Sequence, residues 1–148
     1  MLYQSLSSGA ELWRRYASSS ASIRYKLPAN AAINGMSALL ETKNGFIDAN
    51  LYAHEAARML VEEAIVVAKA CGCTLEHDAE LAHAFEVARM TDKTISSMVQ
   101  DVTHHRETDI RIITGAVYRP GREHHVPTPC NDLLLQLVLV KQSIYLGR

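Results

Sequence analysis

Lys26-Leu27-Pro28-Ala29-Asn30-Ala31-Ala32-Ile33-Asn34 is the stretch from which the rest of this chain is read. Each four-residue step turns a helix by about 40°, so Lys26, Asn30 and Asn34 share one stripe. Asparagine disfavours a helix interior because its amide competes with the backbone for hydrogen bonds. A lysine and two amides on one stripe, set among Leu27, Ile33, Met36, Leu39 and Leu40, point to a polar site on an otherwise buried helix. Asn44-Gly45 follows and is expected to turn the chain where that helix ends. On spacing alone the plainer reading stays ahead: a solvated helix start followed by two polar core residues.

Composition narrows the surroundings of this stripe. The 148 residues suit a single domain with a real core, and 48% hydrophobic content favours a globular chain over a disordered one. A formal charge of −1 gives no general reason to expect nucleic acid or an anionic membrane as partner. Cys71 and Cys73 are separated only by Gly72, too close for an ordinary bridge, so a cytoplasmic, reducing location is expected. The N-terminus shows no basic segment followed by an apolar core, so no secretory signal is expected. The apolar run over 133–140 is interrupted by Gln136 and is too short to span a bilayer.

Apolar residues recur at helical spacing nearly everywhere, and strand-like alternation is scarce. The expected elements are helices over residues 5–16, 28–42, 50–71 and 78–90, with a serine-rich stretch at 18–22 between the first two. A further helix is expected to begin near Asp92 and carry Ser96-Ser97-Met98. Thr108 is expected to cap another over 109–124. After a break at Val126-Pro127-Thr128-Pro129 comes a last amphipathic helix over 131–146. The fold class is therefore all-α, a helical bundle forming one domain over 1–148. The adjacent pairs His104-His105 and His124-His125 point in different directions on a helix, and no ligand spacing such as His-x-x-x-His is present, so no metal site is expected.

The ordered set Lys-Leu-x-x-Asn-x-x-x-Asn, Asn-Gly, Ser-Ser-Met-x-Gln-Asp, Thr-acid-Ile, Gly-x-Val and Val-Pro-Thr-Pro-x-Asn resembles the C-terminal domain of ketopantoate reductase, or 2-dehydropantoate 2-reductase. That domain has the 6-phosphogluconate dehydrogenase C-terminal-like fold. The resemblance runs from about Ile23 to the C-terminus. It implies the substrate half of a reductase that converts 2-dehydropantoate to pantoate, with NADPH held by an N-terminal Rossmann domain. It assigns Lys26 the role of general acid toward the carbonyl oxygen. Asn30, Asn34 and Asn44 become substrate contacts, Ser97 a donor to the substrate carboxylate, and Asp109 the partner of the substrate hydroxyl. A lysine suits its role chemically, because negative charge develops on that oxygen as hydride arrives.

Some positions depart from the family pattern. Asp109 is one methylene shorter than the usual glutamate, Thr114 replaces a common asparagine, Arg111 replaces an acidic residue, and Pro28 is unusual between Lys26 and Asn30. These changes leave open a reductase of the same fold for a different 2-keto acid. No Gly-x-Gly-x-x-Gly fingerprint or strand-rich unit precedes the helices, so the chain alone is expected neither to hold NADPH tightly nor to reduce ketopantoate. The expected partners are a keto-acid substrate, a separate Rossmann domain and further copies of the chain, with neither nucleic acid nor membrane among them. A rival of another class is a non-catalytic helical module for self-association. Asn44 also reads as a turn residue, Ser97 as a helix-surface serine and Asp109 as a first-turn acid.

Overall fold

A computed structural model describes residues 11, 13–15 and 26–148, with Lys26 described by its backbone. The elements are α1 (Lys26–Leu40), α2 (Asn44–Ala49), α3 (Leu51–Ala70), α4 (His77–Met90), α5 (Ser97–Thr103), α6 (Ile110–Ile113), α7 (Gly115–Glu123) and α8 (Pro129–Leu146). Among the described residues the architecture is all-α, without strands. Of the helix expected over 5–16, Glu11, Trp13, Arg14 and Arg15 are helical. The remainder of that helix and the serine stretch at 18–22 lie outside the described residues.

α1 is the central helix and packs against α3, α4, α5 and α8. At Gly35 a Cβ would stand 2.7 Å from Leu134 Cδ2 and 3.3 Å from Ile110 Cδ1, so these side chains of α8 and α6 pack directly over the glycine and would have to shift for a larger residue. α3 forms as its sequence predicts. Asn50 caps it, its Oδ1 accepting from Tyr52 N at 3.1 Å and Ala53 N at 3.0 Å. Ala57, Leu60, Val61, Ala64, Ile65, Val67 and Ala68 are its buried face, and Gly72 stops it with φ +89°.

Several boundaries differ from the sequence expectation, among them the start of α8, which lies at Pro129, inside the expected break, rather than at 131. Asn44-Gly45 is not the turn that ends α1. Glu41 makes that turn with φ +51°, and Asn44 opens α2. The Asn44 and Gly45 amides donate to the Thr94 and Asp92 carbonyls, both at 3.1 Å. This contact keeps residues 91–96 as a loop, so the helix expected from Asp92 begins instead at Ser97, where Ser96 Oγ accepts from Val99 N at 3.2 Å. The helix expected over 109–124 is divided at Thr114, whose carbonyl accepts from both Val117 N and Tyr118 N. Thr108 does not cap it. Its backbone N and Oγ1 both donate to Gln142 Oε1, at 2.8 and 2.9 Å, and Asp109 takes the cap position without a side-chain bond.

Two long-range hydrogen-bond sets join the bundle. Pro120 lies inside α7 and has no N–H to give the Ala116 carbonyl. The buried indole of Trp13 supplies the missing donor, Nε1 to Ala116 O at 2.7 Å. At α8, Pro129 opens the helix, and Glu63 of α3 receives the next amides. Its Oε1 accepts from Cys130 N at 2.8 Å, and its Oε2 from Asn131 N at 2.9 Å and Asn131 Nδ2 at 2.8 Å. A carboxylate on free N–H groups at a helix N-terminus is favourable through both hydrogen bonding and the helix dipole. Cys71, Cys73 and Cys130 are free thiols. Burial pushes the Cys71 thiol up to about 11, which suits a packing residue rather than a nucleophile.

Candidate functional site

From Leu27 to Ala38 every residue of α1 is buried except Asn30 and Asn34. Both are half-buried, so they form the open edge of a helix that is otherwise packed all round. Lys26 begins the same helix one turn earlier, on the same stripe. Its side chain lies outside the described residues.

Neighbours of Asn34 touch the elements that carry two other candidates. Ser37 is fully buried, its Oγ lying 3.2 Å from the Asn34 carbonyl oxygen and 3.1 Å from Ser96 Oγ. Ser96 in turn caps α5, whose first residue is the exposed Ser97. On the other side of Asn34, Gly35 faces Ile110, the residue after Asp109. On a helical wheel Asn34 lies between Ser37 and Gly35, so it faces the junction of the α5 and α6 starts. The structure thus brings together the segments bearing Asn30, Asn34, Ser97 and Asp109. Asp109 is exposed at its rim, yet loss of water around its carboxyl pushes its pKa above the ordinary aspartate value, and the Asp101 charge adds to the effect.

Asn44 stands apart from this group. It is buried at the start of α2, and its Nδ2 donates to Thr91 Oγ1 at 3.1 Å. Its Oδ1 makes no hydrogen bond among the described residues. Beside it, Lys43, Gly45, Phe46, Arg89, Asp92 and Ile95 help line an open groove of about 820 Å³. That groove is lined by none of Asn30, Asn34, Ser97 or Asp109. Gly45 closes against the 91–96 loop. A Cβ there would meet Asp92 Cα at 2.8 Å and its carbonyl oxygen at 2.9 Å, so this glycine is needed for close approach.

The family described as ketopantoate reductase PanE/ApbA, C terminal, matches residues 20–142. The chain belongs to this ketopantoate reductase family. It is 36% identical over 119 residues to the 2-dehydropantoate 2-reductase of Pyrobaculum aerophilum, covering 80% of this chain and 42% of that protein. It is 35% identical over 113 residues to the Vibrio cholerae enzyme of the same name, covering 76% and 38%. The chain therefore spans about two fifths of the length of these curated relatives. Among solved structures, D-mandelate dehydrogenase with NADH and anilino(oxo)acetate superposes with a TM-score of 0.77 at 29% identity, covering 84% of this chain and 69% of that one. A dimeric ketopantoate reductase from Staphylococcus aureus superposes at 0.74 and 26% identity, covering 84% and 43%.

Within this ketopantoate reductase fold, sequence reasoning missed Ser37 and Thr91, which hold the candidate residues in place. Both are ordinary hydroxyl residues whose partners lie 59 and 47 positions away. No local spacing announces them. Ser37→Ala is expected to lower stability by about 1–2 kcal/mol, because a fully buried hydroxyl pair loses one member. Urea unfolding should show a lower midpoint with an unchanged slope, and an unchanged midpoint would remove the bridging role. The histidine pairs also gain a plain explanation. His104 and His124 cap the ends of α5 and α7, and His105 and His125 follow at φ +52° and +57°. Among the described residues no three metal-ligating side chains are gathered, and no helix is long and apolar enough to cross a membrane.

Proposed function

We propose that this chain supplies the substrate-binding and proton-donating half of an NADPH-dependent reductase acting on ketopantoate or a close 2-keto acid. The observation that carries the reading is that, from Leu27 to Ala38, α1 is buried except at Asn30 and Asn34, one and two turns beyond Lys26. Lys26 protonates the carbonyl oxygen as hydride adds to the carbonyl carbon. Two neutral amides beside it orient the substrate without neutralising the ammonium. Ser97, exposed at the capped start of α5, binds the carboxylate. Asp109 accepts from the substrate hydroxyl, while Asn44, buried against Thr91 and apart from these residues, holds the start of α2 rather than the substrate. A Rossmann domain, contributed from outside these residues, holds the nicotinamide cofactor, and the chain works in the cytoplasm as an oligomer.

The test is ligand-dependent melting of the purified chain. A ligand that binds only the folded state must stabilise it. Pantoate is expected to raise the melting temperature of the wild-type chain, and Asn30→Ala combined with Asn34→Ala is expected to abolish the rise. The same preparation is expected to give no turnover with ketopantoate and NADPH. A pantoate response that survives the double substitution would remove the two amides from the site.

A second reading keeps the site and changes the substrate. Asp109 reaches one methylene less far than a glutamate, and a protein of the same fold has been solved as a D-mandelate dehydrogenase with NADH and anilino(oxo)acetate. A bulkier 2-keto acid lacking the pantoate hydroxyl, with NADH as donor, fits that pair of facts. Comparing pantoate with mandelate in the melting experiment separates the two readings.

A further inference from the structure

We propose that a small pocket between the start of α6 and the last turns of α8 is a binding site for a short aliphatic monocarboxylate. It encloses about 200 Å³ between Thr108 and Arg111 on one side and Leu139, Gln142 and Ser143 of α8 on the other. None of Asn30, Asn34, Ser97 or Asp109 lines it. The site therefore stands independently of the proposed reductase reading, although Thr108 directly precedes Asp109 in the chain.

Three properties of the pocket select this ligand. The first is a set of donors with nothing to donate to. Gln142 Oε1 accepts from both the backbone N and Oγ1 of Thr108, at 2.8 and 2.9 Å. A backbone N–H can only donate, so the orientation of the amide is fixed, and its Nε2 is left without an acceptor among the described residues. Across the pocket, Arg111 also meets no carboxylate or carbonyl among the described residues, whereas Arg106 and Arg148 are paired with Asp101 and Glu107. A forked guanidinium and an amide NH2, both unanswered, match a group with two acceptor oxygens. The second property is charge. Glu107 and Arg148 also line the pocket and offset one another, which leaves the Arg111 cation as the balance. One net positive charge beside a standing carboxylate favours a monoanion over a phosphate dianion. The third property is size and lining. Leu139 gives the pocket an apolar wall, and Ser143 spends its hydroxyl proton on Val140 O at 2.8 Å. At about 30 Å³ per water the space matches about six or seven heavy atoms, the size of a four-carbon acid. Arg111 also departs from the family pattern, which has an acid at this position, and an acid there would remove the cation on which the site depends.

The experiment titrates the full chain with sodium butyrate at constant ionic strength and follows the backbone amides by NMR. Saturable shifts are expected at Thr108, Arg111, Gln142 and Ser143, with a Kd on the order of 1–10 mM, well inside the bound for six heavy atoms. Butyramide, of the same shape without the charge, is expected not to bind over that range. Arg111→Gln is expected to weaken butyrate binding by about tenfold or more, because the charged fork is lost. Arg111 is exposed and has no partner to lose, so this variant is expected to keep the helical circular dichroism of the wild type. Asn30→Ala combined with Asn34→Ala is expected to leave butyrate binding unchanged, which separates this pocket from the proposed substrate site. A chain that binds butyrate here but gives no melting response to pantoate would count against the reductase reading alone. The carboxylate site is overturned by shifts confined to Asn30, Asn34 and Ser97, by equal binding of butyramide, or by an affinity that Arg111→Gln leaves unchanged. Tighter binding of inorganic phosphate than of butyrate, or no saturation over the range, would overturn it as well.

Discussion

Glu63→Ala is expected to lower the stability of this chain by about 2–4 kcal/mol, shifting the thermal midpoint down by about 5–15 °C. The carboxylate accepts three hydrogen bonds at the start of α8, from Cys130 N, Asn131 N and Asn131 Nδ2. Removing it leaves two helix-terminal amides and a fully buried asparagine amide without their acceptor. The remaining bond from Asn131 Nδ2, to Leu60 O at 3.2 Å, compensates for only one of these. The effect should be larger than that of an ordinary surface cap, because the acceptor comes from α3 and also docks α8 on the bundle. Glu63→Gln separates the contributions: it keeps one acceptor oxygen but loses the charge that faces the helix dipole. An intermediate loss is expected for it. Thermal unfolding followed by circular dichroism measures both variants, and a Glu63→Ala midpoint equal to wild type would show that the cap contributes nothing.

Lys26→Ala is expected to reduce keto-acid reduction by about 10²–10⁴-fold, the range typical for loss of a positioned general acid. The measurement needs a complete enzyme, for instance this chain joined to the Rossmann portion of a curated relative. Under the proposed role the loss falls mainly on kcat, because proton delivery matters only as charge develops on the oxygen. Lys26→Arg is the informative companion. A guanidinium keeps the positive charge but gives up its proton too reluctantly to replace an ammonium as acid. It should retain substrate binding better than alanine while recovering little of the rate. Equal rates in wild type and Lys26→Ala would end the assignment.

Local sequence gave a faithful account wherever local chemistry dominates. The extent of α3, expected over 50–71 and found over Leu51–Ala70, and the stripe of α1 that carries Asn30 and Asn34 follow from periodicity acting within a few residues. Membership of the ketopantoate reductase family was also legible, because it rests on residue types in order along the chain. The candidate site was legible as a set of residues but not as an arrangement. Asn44 reads as a turn from its Asn-Gly dipeptide, yet the Thr94 and Asp92 carbonyls make it the start of a helix. Thr108 reads as a cap, yet it is drawn to Gln142, 34 residues away.

The sequence by itself determined the all-α class, the main helices and the stripe on which Lys26, Asn30 and Asn34 stand. Only the tertiary structure decided which of those polar residues face outward, where helices break, and how the site is held. Ser37 with Ser96, Trp13 with Ala116 and Glu63 with Asn131 are all contacts between segments distant in sequence. Helical periodicity is a property of neighbours along the chain. A buried hydrogen bond is settled by whichever distant group arrives beside it once water has been excluded.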